Sequence, residues 1–480
     1  MLLSFKNLKM EKSHPTSEIT DNHKDDCKVT WTHPRHIFQR LITLFLMCLI
    51  GFGSYFCFDN PGALQDNFIQ DLNLTTSQFV YLYSFYFWPN IVMCFIGGFL
   101  INRVFGIRLG TVIFALMVVL GQIVFAAGTY LNTLWIMILG RLIFGISAES
   151  LALSQNNYAA LWFKGKARNM VFGFQMSFAR FIITVNFIVM EPLYRYIKKQ
   201  INFPDYQSLS IALLISSLTC VISLVSALLL AWQDKRAEKL LCRKTPDATE
   251  VVGNSDVRYF PKAFWLVTFI IVFYYSSIFP FVALGKVFFE KKYNYSSDSA
   301  NLINGIIYII SSICAPIHSL VIDRTGRNLF WVFLSIFGTL VSHMLLAFTF
   351  LNPYIAMFTM GLSYSMLANA LWPLISMVIP EHQMGTAFGI VQYIENHGLA
   401  VVALLSGIIV DSDGYYMLEL FFCLLLSAAL LLTAILWTWD SMSNGILNMS
   451  IKERNLLVSN KTSCLEKQNL LRDNDIYTQE

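Results

Sequence analysis

Twelve apolar runs constrain this chain more than any other feature, at about 36–58, 77–101, 108–130, 134–160, 168–190, 208–232, 263–289, 299–321, 328–350, 354–379, 384–410 and 414–438. Each is near or above the roughly 20 residues that a helix needs to cross a bilayer core. In hydrocarbon every backbone N–H and C=O must find its partner within the protein, so runs of this length fold as membrane-spanning helices. Charged residues make up 13% of 480 positions and hydrophobic ones 56%, whereas soluble domains carry roughly 25% charge. The fold class expected is therefore all-α membrane, with twelve transmembrane helices.

An even number of spans puts both chain ends on one face. Loops on that face hold Arg103, Arg108, Lys164, Lys166, Arg168 and the basic residues between Lys235 and Lys262, with Arg324 and Arg327, whereas the opposite loops hold only Arg195, Lys198, Lys199, Lys286, Lys291 and Lys292. Basic loops stay on the cytosolic side, which makes both termini cytosolic. Residues 1–35 are polar, lack the apolar core of a signal peptide and read as an N-terminal tail; 439–480 read as its C-terminal counterpart. Nine cysteines are scattered without a CxxC pair or a His/Cys set at metal-ligand spacing, so no metal, disulfide framework or cofactor is expected.

The chain also repeats itself. Gly98-Phe-Leu-Ile-Asn102-Arg103-Val-Phe-Gly106-Ile-Arg108 follows the second run, and Ser319-Leu-Val-Ile-Asp323-Arg324-Thr-Gly326-Arg327 follows the eighth. Arg103 and Arg324 stand 221 positions apart, as do the sequons at Asn73 and Asn294 in the first and seventh loops. Two six-helix bundles, 36–232 and 263–438, are thus expected in parallel repeat, joined by a charged cytosolic linker at 233–262. The two loops resemble the signature of the major facilitator superfamily: a glycine, apolar residues, Asp-Arg, then Gly-Arg. Asn102 replaces the aspartate in the first copy, which also has one extra residue before Gly106, and Ser319 replaces the glycine in the second. The resemblance implies alternating access, with Arg103, Asp323, Arg324 and Arg327 tying helix ends together when the cytosolic side closes.

Two charges stand out within spans, Glu149 in the fourth run and Arg180 in the fifth. A charge at the bilayer centre costs about 2.5–3.5 kcal/mol on insertion scales, so each should face a cavity or the other charge. Mutual pairing would simply brace the helical hairpin. If both face a cavity instead, a guanidinium fork suits a carboxylate and a glutamate suits an ammonium, which together make a clamp for a solute that carries an ammonium and a carboxylate at opposite ends. Around them, Tyr55, Tyr275 and Trp372 sit on spans interrupted by Gly51, Gly53, Pro280 or Pro373, and Asn186 follows Arg180 on its span; these are further candidates for substrate contact. Arg141 has two readings, coupling or a ligand of helix-end carbonyls, and Lys286 has two, an outer gate or a snorkelling lysine. His318 and His343 read as satisfied polar contacts, whereas Glu395 and His397 are two positions apart and point to different helix faces.

Gly51-Phe-Gly-Ser-Tyr-Phe-Cys-Phe-Asp-Asn-Pro61, Trp162-Phe-Lys-Gly-Lys166, Leu284-Gly-Lys-Val-Phe-Phe289 and Pro380-Glu-His-Gln-Met-Gly-Thr-Ala-Phe-Gly389 are similar to one branch of the superfamily, the lysosomal dipeptide uniporters. That resemblance, from about 40 to 439, implies facilitated export of dipeptides from the lysosomal lumen, Glu149 and Arg180 as terminal-binding residues, and an accessory subunit, the glycosylated lysosomal membrane protein. Glu466-Lys-Gln-Asn-Leu470-Leu471 resembles an acidic dileucine sorting signal. Asn73 and Asn294 are possible glycosylation sites on the lumenal side. A carrier of another organic solute and a non-transporting sensor on the same fold are the alternatives. No Pro-Glu-Ser-Pro-Arg type sugar-porter signature is present, and Tyr55-Phe-Cys-Phe-Asp59 stands where proton-coupled peptide carriers have Glu-x-x-Glu-Arg. No nucleophile–base pair argues for an enzyme.

Overall fold

A computed structural model of the chain describes residues 36–163, 166–201, 203–241, 260–380, 383–443, 445–454 and 456. Nine helices among these residues are long and apolar enough to cross a membrane. With two further long helices, Thr76–Phe99 and Pro353–Val378, the rods in order are α1 (Phe38–Phe58), α2 (Thr76–Phe99), α3 (Gly106–Tyr130), α4 (Leu134–Trp162), α5 (Lys166–Gln200), α6 (Asp205–Leu241), α7 (Lys262–Tyr293), α8 (Ser297–Thr325), α9 (Asn328–Phe348) and α10 (Pro353–Val378), then a helix over Met384–Met442. That last helix is two rods, α11 (384–413) and α12 (415–442), meeting at Gly414 with φ 81° and ψ −176°. Counting α2 and α10, of 24 and 26 residues, the rods follow the order of the twelve apolar runs.

Small residues set the closest approaches. A Cβ on Gly121 of α3 would stand 2.7 Å from the Phe144 nitrogen of α4, and one on Gly140 would strike the Phe125 backbone. Close backbone contact through glycine is how helices gain dispersion energy where lipid removes the hydrophobic drive. α1 breaks at Gly51 into Ile37–Ile50 and Phe52–Phe58, while α7 and α10 run unbroken through Pro280 and Pro373. The extra residue of the first loop motif has a physical home: Leu100–Phe105 forms a π-helical turn, the wider coil by which a helix absorbs an insertion.

Within the first half α3 packs on α4 and α6, and α2 on α4; within the second, α8 and α9 pack on α10 and α7 on the α11–α12 rod pair. The halves meet along α2 with α11 and α5 with α8. Gln233 at the end of α6 donates to Thr43 at 2.8 Å near the start of α1, which places that end of the first half together. In the second half, the Asp440 carboxylate accepts from Leu447 and Asn448, and Arg327 N–H donates to the Met449 carbonyl at 3.1 Å. Asp323, Arg324 and Arg327 are exposed on this terminal face. The Arg103 side chain, and Glu466, Leu470 and Leu471, lie outside the described residues.

The opposite, distal face is sealed between the halves. Lys286 of α7, fully buried, donates to Glu191 of α5 at 2.6 Å and to the Ala63 carbonyl at 3.1 Å, and pairs with Asp66. Arg195 pairs with Asp298, Asn301 donates to Ala63 O at 2.8 Å, and Asp411 caps α2 by accepting from Thr76 N–H at 2.9 Å and Ser77 N–H at 2.7 Å. Asn73 and Asn294 both sit exposed on this face in the left-handed conformation, at φ 52° and 56°.

Candidate substrate site between the two halves

Local helix chemistry aims Glu149 at the junction of the halves. Ser147, Ser150 and Ser154 return their hydroxyls to carbonyls of α4 itself, and a Cβ on Gly145 would strike the Tyr86 carbonyl, so this stretch of α4 lies tight against α2. Glu149, half-buried, accepts from Gln392 Nε2 of α11 at 3.4 Å. Glu395, nearly one turn further along α11, faces the same carboxylate, and the hydroxyls of Tyr55 and Tyr86 lie within its field.

The second pole lies on α5. The half-buried Arg180 guanidinium stands over the Tyr364 ring of α10, 5.2 Å from its centroid. At such separations a ring face attracts a cation through its quadrupole. Tyr364 meets Tyr275 edge-on at 6.2 Å, Trp372 Nε1 donates to the Tyr275 hydroxyl at 3.1 Å, and Trp372 stacks on Phe388 at 6.1 Å. Arg180, Tyr275 and Trp372 are thus brought together, through Tyr364. Glu149 and Arg180 do not pair with each other, nor with any other ion among the described residues. The buried hairpin brace is therefore absent from this state.

The remaining candidates fall elsewhere. Asn186 is fully buried and donates to Asn60 Oδ1 at 2.5 Å, and Asn60 donates to Ser216 at 2.8 Å, a chain of amides and hydroxyl joining α5, the α1–α2 connection and α6. Arg141 donates to the carbonyls of Leu82 at 2.9 Å, Cys57 at 3.3 Å and Phe58 at 2.8 Å, with aromatic rings on its faces, so it ligates two carbonyls freed where α1 ends and ties them to one of α2. Lys286 is fully buried against two carboxylates, Asp66 and Glu191, rather than snorkelling to the surface. His318 meets Ser365 at 3.1 Å and His343 meets Glu419 at 2.8 Å, both through Nδ1; the buried His343 Nε2 has no hydrogen-bond partner among the described residues. Glu395 and His397 do diverge: His397 is exposed and lies edge-on to Trp88 at 5.6 Å.

Sequence reasoning passed over Gln392 and Tyr364. Gln392 lies three residues before an ionisable residue in a span, a signal that was available; Tyr364 is one of 21 tyrosines with nothing to single it out.

The sequence model of the Major Facilitator Superfamily matches residues 47–403 and 291–461. A zebrafish (Danio rerio) protein named lysosomal dipeptide transporter MFSD1 is 50% identical over 421 residues, covering 88% of this chain and 91% of its own. The mouse (Mus musculus) and human (Homo sapiens) proteins of that name are 50% and 48% identical over the same length, covering 88% of this chain and 91% and 90% of theirs. Among solved structures, a D-xylose–proton symporter superposes with TM-score 0.63 at 14% identity, covering 83% of this chain and 96% of its own. A POT family transporter in complex with a conjugated peptide gives 0.63 at 12%, again covering 83% and 96%. Helix order, the paired interfaces α2–α11 and α5–α8, the repeated loop motif and this similarity lead to one assignment: the chain belongs to the Major Facilitator Superfamily.

Proposed function

We propose that this protein carries dipeptides across the lysosomal membrane by facilitated diffusion, lumen to cytosol, with Glu149 holding the substrate ammonium and Arg180 its carboxylate. The observation that carries the reading is the separation of these two charges: opposite in sign, half-buried, on adjacent helices of one half, and not neutralised by each other. A zwitterion with charged ends satisfies both poles at once, and Tyr275 and Trp372 give tolerant apolar surface for side chains. The names of relatives near 50% identity supply the substrate class and compartment.

In this reading the termini and the basic loops face the cytosol, the distal face is lumenal, and the structure is a lumen-closed state. Exposed Asp323 and Arg324 fit a cytosolic latch that is open in that state. The glycosylated lysosomal membrane protein is the accessory subunit, Glu466, Leu470 and Leu471 address the protein to the lysosome, and Asn73 and Asn294 are exposed glycan acceptors on the lumenal face. Uptake of neutral, acidic and basic dipeptides into proteoliposomes, with and without a pH gradient, tests the reading. Saturable uptake that a proton gradient does not drive above equilibrium supports it; concentrative uptake, or none, contradicts it.

A further inference from the structure

Glu149 and Arg180 both belong to the first half of the molecule, yet each is also met by a group from the second: Gln392 of α11 donates to Glu149 at 3.4 Å, and Tyr364 of α10 lies 5.2 Å under the Arg180 guanidinium. We infer that Gln392 and Tyr364 are place-holders, positioning residues that occupy the ends of the substrate clamp when it is empty and so allow the unloaded carrier to reorient. This inference rests on the dipeptide reading above.

The physical need is specific to a carrier that returns empty. When the two halves close over a loaded site, the substrate ammonium and carboxylate neutralise Glu149 and Arg180. When they close over an empty site, an isolated carboxylate and an isolated guanidinium leave water without compensation, and an unpaired buried charge costs several kcal/mol. Mutual pairing of Glu149 with Arg180 would remove that penalty, but the two are not paired. Compensation must then come from neutral groups that substrate can displace. An amide N–H offers one hydrogen bond to the carboxylate, and a tyrosine ring offers a cation–π contact to the guanidinium. Both are weaker than the charged end of a peptide, so substrate wins when it is present. Because the place-holders sit on the opposite half, each contact also spans the junction that must close. Glu395, Tyr55 and Tyr86 are the other groups facing Glu149, and none of them brings positive charge.

The test separates net transport, which requires empty return, from exchange, which does not. The full-length protein is reconstituted in liposomes, with tritiated alanyl-alanine and alanyl-lysine as probes, and uptake is measured into empty vesicles and into vesicles preloaded with the same unlabelled dipeptide. For Gln392→Leu and Tyr364→Leu, uptake into empty vesicles should fall about tenfold, the effect of about 1.4 kcal/mol on the return barrier, while exchange changes by no more than about twofold. Tyr364→Phe, which keeps the ring, should restore net uptake to within about threefold of the unmodified protein. Parallel loss of uptake and exchange in the Leu variants, or no loss in either, overturns the place-holder role. Should the unmodified protein exchange neither dipeptide, the substrate reading itself falls; exchange by the unmodified protein with unaltered ratios in the variants removes only this inference.

Discussion

At the scale of single residues the account turns on two charges that keep their distance. Arg180→Lys replaces a planar fork by a point charge that can neither bind a carboxylate bidentately nor spread over the Tyr364 ring as well, so transport should drop at least about tenfold with the helical fold retained, as read by uptake beside circular dichroism. Glu149→Gln keeps size and hydrogen bonding but not charge; losing a charge-assisted bond of about 1.5–3 kcal/mol should raise the half-saturating dipeptide concentration more than about tenfold, measured by concentration-dependent uptake. Both charges were legible in the sequence because ionisable residues are rare in spans and need a reason to be there. Their partners were not. Gln392 and Tyr364 are residue types that also serve as ordinary packing, and only the docking of the second half on the first brings them to the poles. Arg141 and Lys286 show the same limit from the other side: the sequence left two roles open for each, and only the structure shows three carbonyls around one and two carboxylates around the other.

At the scale of helices, hydropathy, loop charge and a repeat at an interval of 221 residues made the rods and their order readable. The deviations were readable only in part. Gly51 does interrupt α1, where having no Cβ lets it pass close to Tyr55 and Gln155, but Pro280 and Pro373 stay within continuous helices, because neighbouring packing holds a proline-containing helix on course. Glycine-mediated contact between α3 and α4 gives a stability prediction. Gly140→Val forces a branched side chain into the Phe125 backbone, and overpacking of this kind costs about 1–3 kcal/mol, so thermal unfolding in detergent should shift to lower temperature. The distal seal gives a conformational one. Lys286→Met leaves Asp66 and Glu191 without their shared cation, and stranding a buried charge costs about 3–5 kcal/mol, enough to open that face. Spin labels on Asn73→Cys and Asn294→Cys, in a background free of other cysteines, should report a longer distance in the Lys286→Met protein; an unchanged distance would mean that Asp411 and Arg195 close the face without it.

For the molecule as a whole, alternating access becomes an exchange between two sets of contacts, one sealing the distal face and one available to the loop motifs of the terminal face. Asp323 and Arg324 are exposed and without an ion-pair partner among the described residues while the Lys286 cluster is engaged, as expected if the two sets are used in turn. The central claim is that substrate is held by its two charged ends, and competition by end-blocked dipeptides tests it most directly. Uptake of a transported dipeptide into proteoliposomes is challenged with the same dipeptide, its N-acetyl form and its C-terminal amide. The account predicts that the free dipeptide competes and that blocking either end weakens competition at least about tenfold, the loss of one charge-assisted contact. Equal competition by both blocked forms would contradict it.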